Sequence, residues 1–517
     1  MKKTIAILLF VVIICAIFLT ASLRGNVGNP TSEQLNNPQW QADGPFGLSP
    51  ERGRFALTYS MIEDKSFYFS LPIAKFAVPD LGYKNGHYVS LFAPGVSFLV
   101  IPGYVIGKLA NASQLGTFAI ISLFAIGNVL LIIAIGRTLR IRTLPALVGG
   151  LTFLFASPAF SYAVTLYQHH VSTFLILLSI YILVRYKNLW SLGFIWFLFA
   201  MSIPVDYPNL FLMLPIAVYA LGRLIVTKIN VTSVHLSIKL VGILTFLTVL
   251  VPLSFFLWFN KASYGNPLQF SGTVASVREI DATGKPTAPQ NADKNNLEKY
   301  FNPEIQEKSA VAFFKARNLV NGLYLHIFSP DRGIIFFTPV MLLGLVGMYF
   351  LYKQNSAITV VCVGVIMADL LLYSLWSDPW GGWAFGSRYM IPGYAMLSIF
   401  LAIALSKLRK NILFLLLFLI IFSYSAFVNT AGALSTDANP PQVEVLELEK
   451  ISGIQQKYTF ERNLDFLKNS SKSFIYQSFA HTYVTSWQYF QIIAGAIIAC
   501  TTILVVALRF TKEGKSA

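Results

Sequence analysis

The residues of this chain best suited to chemistry sit in a few polar clusters between long apolar runs. The first is Pro50-Glu51-Arg52-Gly53-Arg54-Phe55-Ala56-Leu57-Thr58-Tyr59, continuing through Ser60-Met61-Ile62-Glu63-Asp64. Glu51 falls in the first turn of a helix expected to start at Ser49 or Pro50, where the helix dipole favours an acid. A second role is chemical: a carboxylate partly desolvated at a lipid–water boundary becomes a better base. Phe55, Tyr59 and Ile62 recur at i, i+4 and i+7, which predicts an amphipathic helix lying on the membrane surface.

The next cluster runs from Asp80 to Gly95. Its Tyr83, Lys84, His87, Tyr88 and Ser90 together suit an anionic head group, and Asn85-Gly86 is a turn signal. His87 alone is more often a surface histidine than a ligand. Two later motifs are Phe328-Ser329-Pro330-Asp331-Arg332-Gly333 and the stretch Trp376 to Tyr389, which holds Trp380, Gly381, Gly382, Trp383, Gly386 and Arg388. A Trp at the end of a span is usually part of the aromatic belt. Three Trp, repeated Gly and an Arg in one loop exceed that need. Aromatic rings stack on sugar faces and Arg forks onto phosphate, so this loop points to a phospho-glycan. His169, His170, Asp206 and Asp369 lie in or beside apolar runs, where ionisable groups are functional candidates by default. For the first three, a position at a span end reaching water is the plainer account. For Asp369, in mid-span, it is a helix–helix hydrogen bond.

These clusters need a scaffold, and the composition says which kind. Of 517 residues 55% are hydrophobic and only 12% charged, half the usual charge of soluble domains (roughly 25%). Windows of about 20 apolar residues give twelve spans: 4–22, 115–136, 144–163, 170–186, 190–205, 207–225, 240–259, 332–352, 356–376, 389–406, 412–428 and 487–508. The first reads as an uncleaved anchor rather than a signal peptide, because its apolar stretch is long and Leu19-Thr20-Ala21 is a weak cleavage site. Residues 91–109 are apolar but carry two Pro and three Gly, and are expected as outer juxtamembrane helices.

The net charge of +16 would ordinarily suggest nucleic acid or another acidic partner. Positive residues, however, collect on the cytoplasmic side of membrane proteins. With both termini inside, the cytoplasmic ends hold Lys2, Lys3, Arg137, Arg140, Arg142, Arg185, Lys407, Arg409, Lys410, Arg509 and further basic residues against one acid, Glu513. That side accounts for the whole excess of +16. Nucleic acid is therefore not an expected partner; the lipid bilayer is. The outer segments are 23–114, 260–331, 377–388 and 429–486, and any site should face outward. The polar stretch 278–308 is expected as a mobile flap or a solvated loop, and 436–473 as a small cap. Cys15, Cys362 and Cys500 all fall in apolar spans, so no disulfide framework is expected. No Cys-x-x-Cys, His-Glu-x-x-His or phosphate-binding glycine loop occurs, and no internal repeat, which disfavours a metallopeptidase, an ATP-driven pump and a secondary transporter.

These motifs resemble bacterial members of the GT-C superfamily of membrane glycosyltransferases, the protein O-mannosyltransferase and aminoarabinose-transferase group. Glu51-Arg52-Gly53-Arg54-Phe55-Ala56 resembles that group's Asp-Glu-x-Arg-Tyr-Ala motif, and Ala93-Pro94-Gly95 its juxtamembrane Pro element. Gly86-His87-Tyr88-Val89-Ser90, Ser329 to Gly333, and Trp380 to Trp383 with Gly386-Ser387-Arg388 look similar to a subgroup of relatives. The likeness spans residues 4–425.

The resemblance implies an all-α polytopic membrane protein: a GT-C-like bundle of about twelve transmembrane helices with outer juxtamembrane helices and a small cap. Its expected parts are a catalytic module over 1–428, an outer cap segment over 429–486, and a last span with a basic tail over 487–517. It implies an inverting transfer of a sugar from a polyprenyl-phosphate donor to a glycan, lipid or protein acceptor, on the outer face of the plasma membrane. Glu51 would be the base, with Asp64 and Asp80 in reserve. Arg54, Lys84, His87, Arg332 and Arg388 would contact phosphate, Trp380 and Trp383 would line the sugar pocket, and Tyr88, His169 and Asp206 would complete the binding site. Glu51 stands where the family has Asp, and Arg52 where it has a second acid, so no metal and no other cofactor are expected. A secondary transporter, or a lipid-glycan flippase or ligase, is the alternative.

Overall fold

The computed structural model describes residues 2–229, 234–287 and 310–510. Among the described residues, six helices are long and apolar enough to cross a membrane: Ser113–Thr138, Leu240–Tyr264, Ser356–Ser374, Arg388–Lys407, Ile412–Leu434 and Ser486–Phe510. Each coincides with an expected span. The first expected span is one helix, Lys2–Ser22; the others are shorter apolar helices or broken ones. Thr143–Phe155 and Trp190–Ser202 have 13 residues each, about 20 Å of helix, less than the hydrocarbon thickness of about 30 Å. The stretch expected as a span at 332–352 is three pieces, Ile334–Phe337, a 3₁₀ turn Pro339–Leu343 and Gly344–Gln354. Pro339 cannot continue the ladder of the preceding turn, and Pro208 and Pro215 interrupt 207–225 in the same way, into Asn209–Leu212 and Leu214–Gly222.

The centre of the bundle is the Ile391–Lys407 helix, buried from Ile391 through Leu405. Helices without a hydrophobic drive between them associate by close packing of small residues. Here Gly347 of the Gly344–Gln354 helix lies so near the Phe400 carbonyl that a side chain there would collide with backbone. Asp369, buried in mid-helix, accepts the Gly393 N–H at 3.0 Å, a tie between the Ser356–Ser374 and Ile391–Lys407 helices.

Outside the long helices, Ser49–Tyr59 is followed by a π turn at Ser60–Asp64. It is not the surface helix that the periodicity predicts. Glu51 and every residue from Gly53 to Tyr59 are buried, because Leu71–Ala77 and Gly95–Leu99 pack on it. Its polar groups are satisfied inside: the Thr58 hydroxyl donates to the Ser97 carbonyl at 3.0 Å, and Ser97 Oγ donates to the Arg54 carbonyl at 3.0 Å. Residues 91–109 do form two short helices, Gly95–Leu99 and Ile101–Leu109. A three-stranded antiparallel sheet, ordered His87–Ser90, Leu81–Lys84, Ala275–Val277, joins the first outer segment to the second. Its hairpin turns at Asn85-Gly86, both at positive φ, as the pair predicts. Most of the expected flap, 288–309, lies outside the described residues; what precedes it is a small hairpin of Glu279–Ile280 with Pro286–Thr287.

Helix direction sorts the charges. Arg137, Arg185, Lys407 and Arg509 sit in the last turns of their helices. His169 and Arg388 open two of the same helices at the other end. The Gln354 amide donating to the Leu139 carbonyl at 3.1 Å joins two turns on the basic end.

Candidate functional site

Buried side chains drawn from segments far apart in the chain converge at the end of the bundle away from those basic turns. Glu51 is completely buried. Its Oε2 accepts the Gly47 and Leu48 N–H groups at 2.7 and 3.0 Å, a cap on its own helix. Its Oε1 is buried with no partner among the described residues. Across Gly47 lies Asp437, from the segment that follows the Ile412–Leu434 helix. A methyl built on Gly47 would lie 2.5 Å from Asp437 Oδ1 and 3.5 Å from Glu51 Oε2, so only glycine lets the two carboxylates share this space. Arg24, 1% exposed, donates from Nη1 to Asp437 Oδ1 at 2.7 Å and from Nη2 to the Gly432 carbonyl. Asp437 Oδ2 is likewise left unpartnered.

Burial raises the Glu51 carboxyl to about 8, and the Asp437 charge adds to that rise against the pull of Arg24. Burial works against the Arg24 charge, but Asp437 and Glu51 beside it hold it above its ordinary value. Such a Glu is poised to exchange a proton near neutrality.

The cations gather around Tyr167. The Arg388 guanidinium lies 5.1 Å from the Tyr167 ring centre and that of Arg54 lies 5.8 Å from it. Arg54 is held by the Pro50 carbonyl and by Gln168 Oε1 at 2.6 Å, and Gln168 in turn donates to Asp206 Oδ2 at 3.2 Å. Arg388 gives Nη2 to the Gly381 carbonyl at 2.7 Å. Gly381, Gly382 and Gly386 all take positive φ, which curls the loop so that this carbonyl meets the guanidinium. Arg388 Nε and Nη1, Arg54 Nε, the Tyr167 hydroxyl and His169 Nε2 are buried without a partner among the described residues. Two guanidiniums on one ring with free N–H groups make an anion site. Burial lowers Arg54 to about 10 and raises Asp206 to about 6, so the pocket favours groups that bring their own compensating charge.

The structure therefore brings together Glu51, Arg54, His169, Asp206 and Arg388 of the sequence candidates. It does not bring the others. Asp64 is exposed and accepts from Ser70 Oγ at 3.4 Å, while Asp80 accepts from Ser49 Oγ at 2.6 Å; neither contacts the cluster. Lys84 bonds Gln269, exposed His87 stacks on Tyr68, and the Tyr88 hydroxyl donates to the Gly284 carbonyl, all on the small sheet. Arg332 is buried, but its N–H groups are engaged by the carbonyls of Asp331, Trp380, Gly382 and Asn439. That corrects the expected phosphate contact: Arg332 fastens the Trp/Gly loop to the cap. Trp383 donates to Glu444 at 2.8 Å and lies under Arg462, and Trp380 is half-buried beside Arg332. His169 and His170 do not reach for water at a span end. Both are buried, His170 bonding the Ala159 carbonyl at 2.7 Å and Asn128 at 3.2 Å.

Arg24, Tyr167, Gln168 and Asp437 are missing from the sequence reading. Arg24 and Asp437 are the first charges after two apolar helices, a place where charge ordinarily marks only a span boundary. Glu51 and Asp437 form a carboxylate pair, but among the described residues no group of three or more His, Cys, Asp or Glu gathers for a metal, and Arg24 already occupies one oxygen of Asp437.

No protein-family model and no curated protein matches the chain. Solved structures do. ArnT from Cupriavidus metallidurans in the apo state is 11% identical, with a TM-score of 0.45 over 98% of this chain and 78% of that one. The same enzyme bound to undecaprenyl phosphate is 12% identical, also at 0.45, over 97% and 77%. The archaeal oligosaccharyltransferase AglB from Archaeoglobus fulgidus, in complex with an inhibitory peptide and a dolichol-phosphate, is 12% identical at 0.44; this chain is covered over 98% and AglB over 56%.

Proposed function

We propose that this chain is a membrane glycosyltransferase that moves a sugar from a polyprenyl-phosphate-linked donor to an acceptor hydroxyl, with inversion. The observation that carries the reading is the pair of unmet needs in one buried space: Glu51 Oε1 without a donor, and Arg388 N–H groups without an acceptor. In the reaction Glu51 takes the proton of the acceptor hydroxyl. The oxygen attacks the anomeric carbon from the face opposite the phosphate, a new C–O bond forms, and the sugar–phosphate C–O bond breaks. The polyprenyl phosphate leaves as an anion, so it needs no general acid; Arg388 and Arg54 meet its charge. Asp206 and Gln168 hold Arg54 in place.

The site lies at the end of the helices opposite the Lys- and Arg-rich turns. Under the rule that basic loops stay in the cytoplasm, it faces the outer side of the plasma membrane with both termini inside. Lipid-linked donors are the sensible sugar source there, because nucleotide sugars are cytoplasmic.

The test is mass spectrometry of lipid-linked sugars in cells lacking the protein. A polyprenyl-phosphate sugar should accumulate, fall again with the wild-type chain, and stay high with Glu51→Gln present at normal level in the membrane. No accumulation in the deletion would overturn the donor class, and full rescue by Glu51→Gln would overturn the base.

A further inference from the structure

The segment between the first helix and Ser49 forms a second concave surface beside the Glu51 cluster. Two polar cavities, about 330 and 440 Å³, share Trp40 as a common wall. The first reaches Gly47 and Arg52, the former being the residue that separates Glu51 from Asp437. The second extends away from it past Asn29 to Gln114.

Each cavity contains a buried donor with nothing to bind. Gln114 is 1% exposed and its Oε1 accepts the Asn26 N–H at 3.2 Å, while its Nε2 has no partner among the described residues. Arg52 Nε is in the same condition at the other end. A buried donor left unmade costs about 1–3 kcal/mol; the charges of Asp80 and Glu51 act on Arg52, but no acidic residue lines either cavity. A matching ligand must therefore be rich in acceptor oxygens along its length. It must also offer an apolar face to the Trp40 ring, which a sugar ring does through its C–H groups. A lipid chain brings no such acceptors.

We propose that this double cavity is an acceptor subsite for a carbohydrate chain, whose rings enter past Gln114, stack on Trp40 and present their terminal hydroxyl beside Glu51. Arg52 Nε receives a ring hydroxyl or the carboxylate of an acidic sugar. The inference rests on the glycosyl-transfer reading and names its acceptor as a saccharide.

Full-length protein in lipid nanodiscs is exposed to two probes, a neutral glucose tetrasaccharide and a galacturonate tetrasaccharide, with binding read by saturation-transfer NMR against empty nanodiscs. Transfer to ring protons of at least one probe is expected, falling at least fivefold in Trp40→Ala and in Gln114→Ala and retained in Trp40→Phe. Preference for the acidic probe that disappears in Arg52→Gln supports a carboxylate at Arg52; equal binding of both probes supports a hydroxyl there. Absence of transfer from both probes, or transfer unchanged in both alanine variants, overturns the subsite. Binding here is independent of turnover: if Glu51→Gln binds the probes as the wild type does yet retains sugar transfer, the base assignment fails and the subsite stands.

Discussion

Glu51 keeps its carboxyl where water cannot stabilise the charge, with one oxygen capping its own helix and the other facing empty polar space. If Glu51 acts as the base proposed above, transfer should rise with pH through about 8 and level off above it, measured with purified protein and lipid-linked donor. Stability should run the other way. The folded carboxyl binds its proton more tightly than the unfolded one, so its contribution is fully present below the ordinary Glu range. It is lost as pH rises through about 8. Glu51→Gln should therefore gain thermal stability on the wild type as pH goes from 5 to 9, seen by melting in detergent. Asp437→Asn leaves the Arg24 charge buried and unpaired, which should cost about 3–5 kcal/mol, read as a lower melting temperature and less folded protein. Arg388→Lys keeps the charge but loses the fork, and should raise the donor KM roughly ten- to a hundredfold, the range of a lost charged hydrogen bond. Glu51, Arg54 and Arg388 were legible in the sequence because each sits in a local motif. Arg24 and Asp437 were not, since their partnership exists only once 413 positions of chain have been folded back.

At the scale of elements, apolar length told where helices cross but not where they break. The long runs between loops became single helices, whereas Pro208, Pro215 and Pro339 divided others, and their pieces pack at angles that hydropathy does not encode. The helix carrying Glu51 and Arg54 shows the converse. Its i, i+4, i+7 pattern is real, but the helices that cover it, Leu71–Ala77 and Gly95–Leu99, bury the polar face too, and a periodicity says nothing of neighbours. Packing by glycine makes a sharp prediction here. Gly347→Leu should push the Gly344–Gln354 helix off Phe400 and lower the melting temperature of the solubilised protein by several degrees. Gly495→Leu, on the Ser486–Phe510 helix where no atom lies within 4 Å, should leave it unchanged.

For the whole molecule the charge pattern is the organising feature. The basic helix ends and the Glu51 cluster lie at opposite ends of the bundle, so sidedness can be read with two labels. A cysteine at position 137 should resist a membrane-impermeant maleimide added to whole cells. One replacing exposed Lys457 in the cap should react within minutes. Reaction at 137 instead would invert the protein and move the chemistry to the cytoplasm.

The ion pair between Arg24 and Asp437 also has a consequence for the timing of synthesis. A nascent chain delivers Arg24 first and Asp437 only after the Ile412–Leu434 helix has been made, so most of the protein enters the bilayer before that cation meets its ion-pair partner. A ribosome stalled before codon 437 would thus leave an inserted protein whose Arg24 lacks its ion-pair partner, a feature by which quality-control proteases could tell it from the finished one.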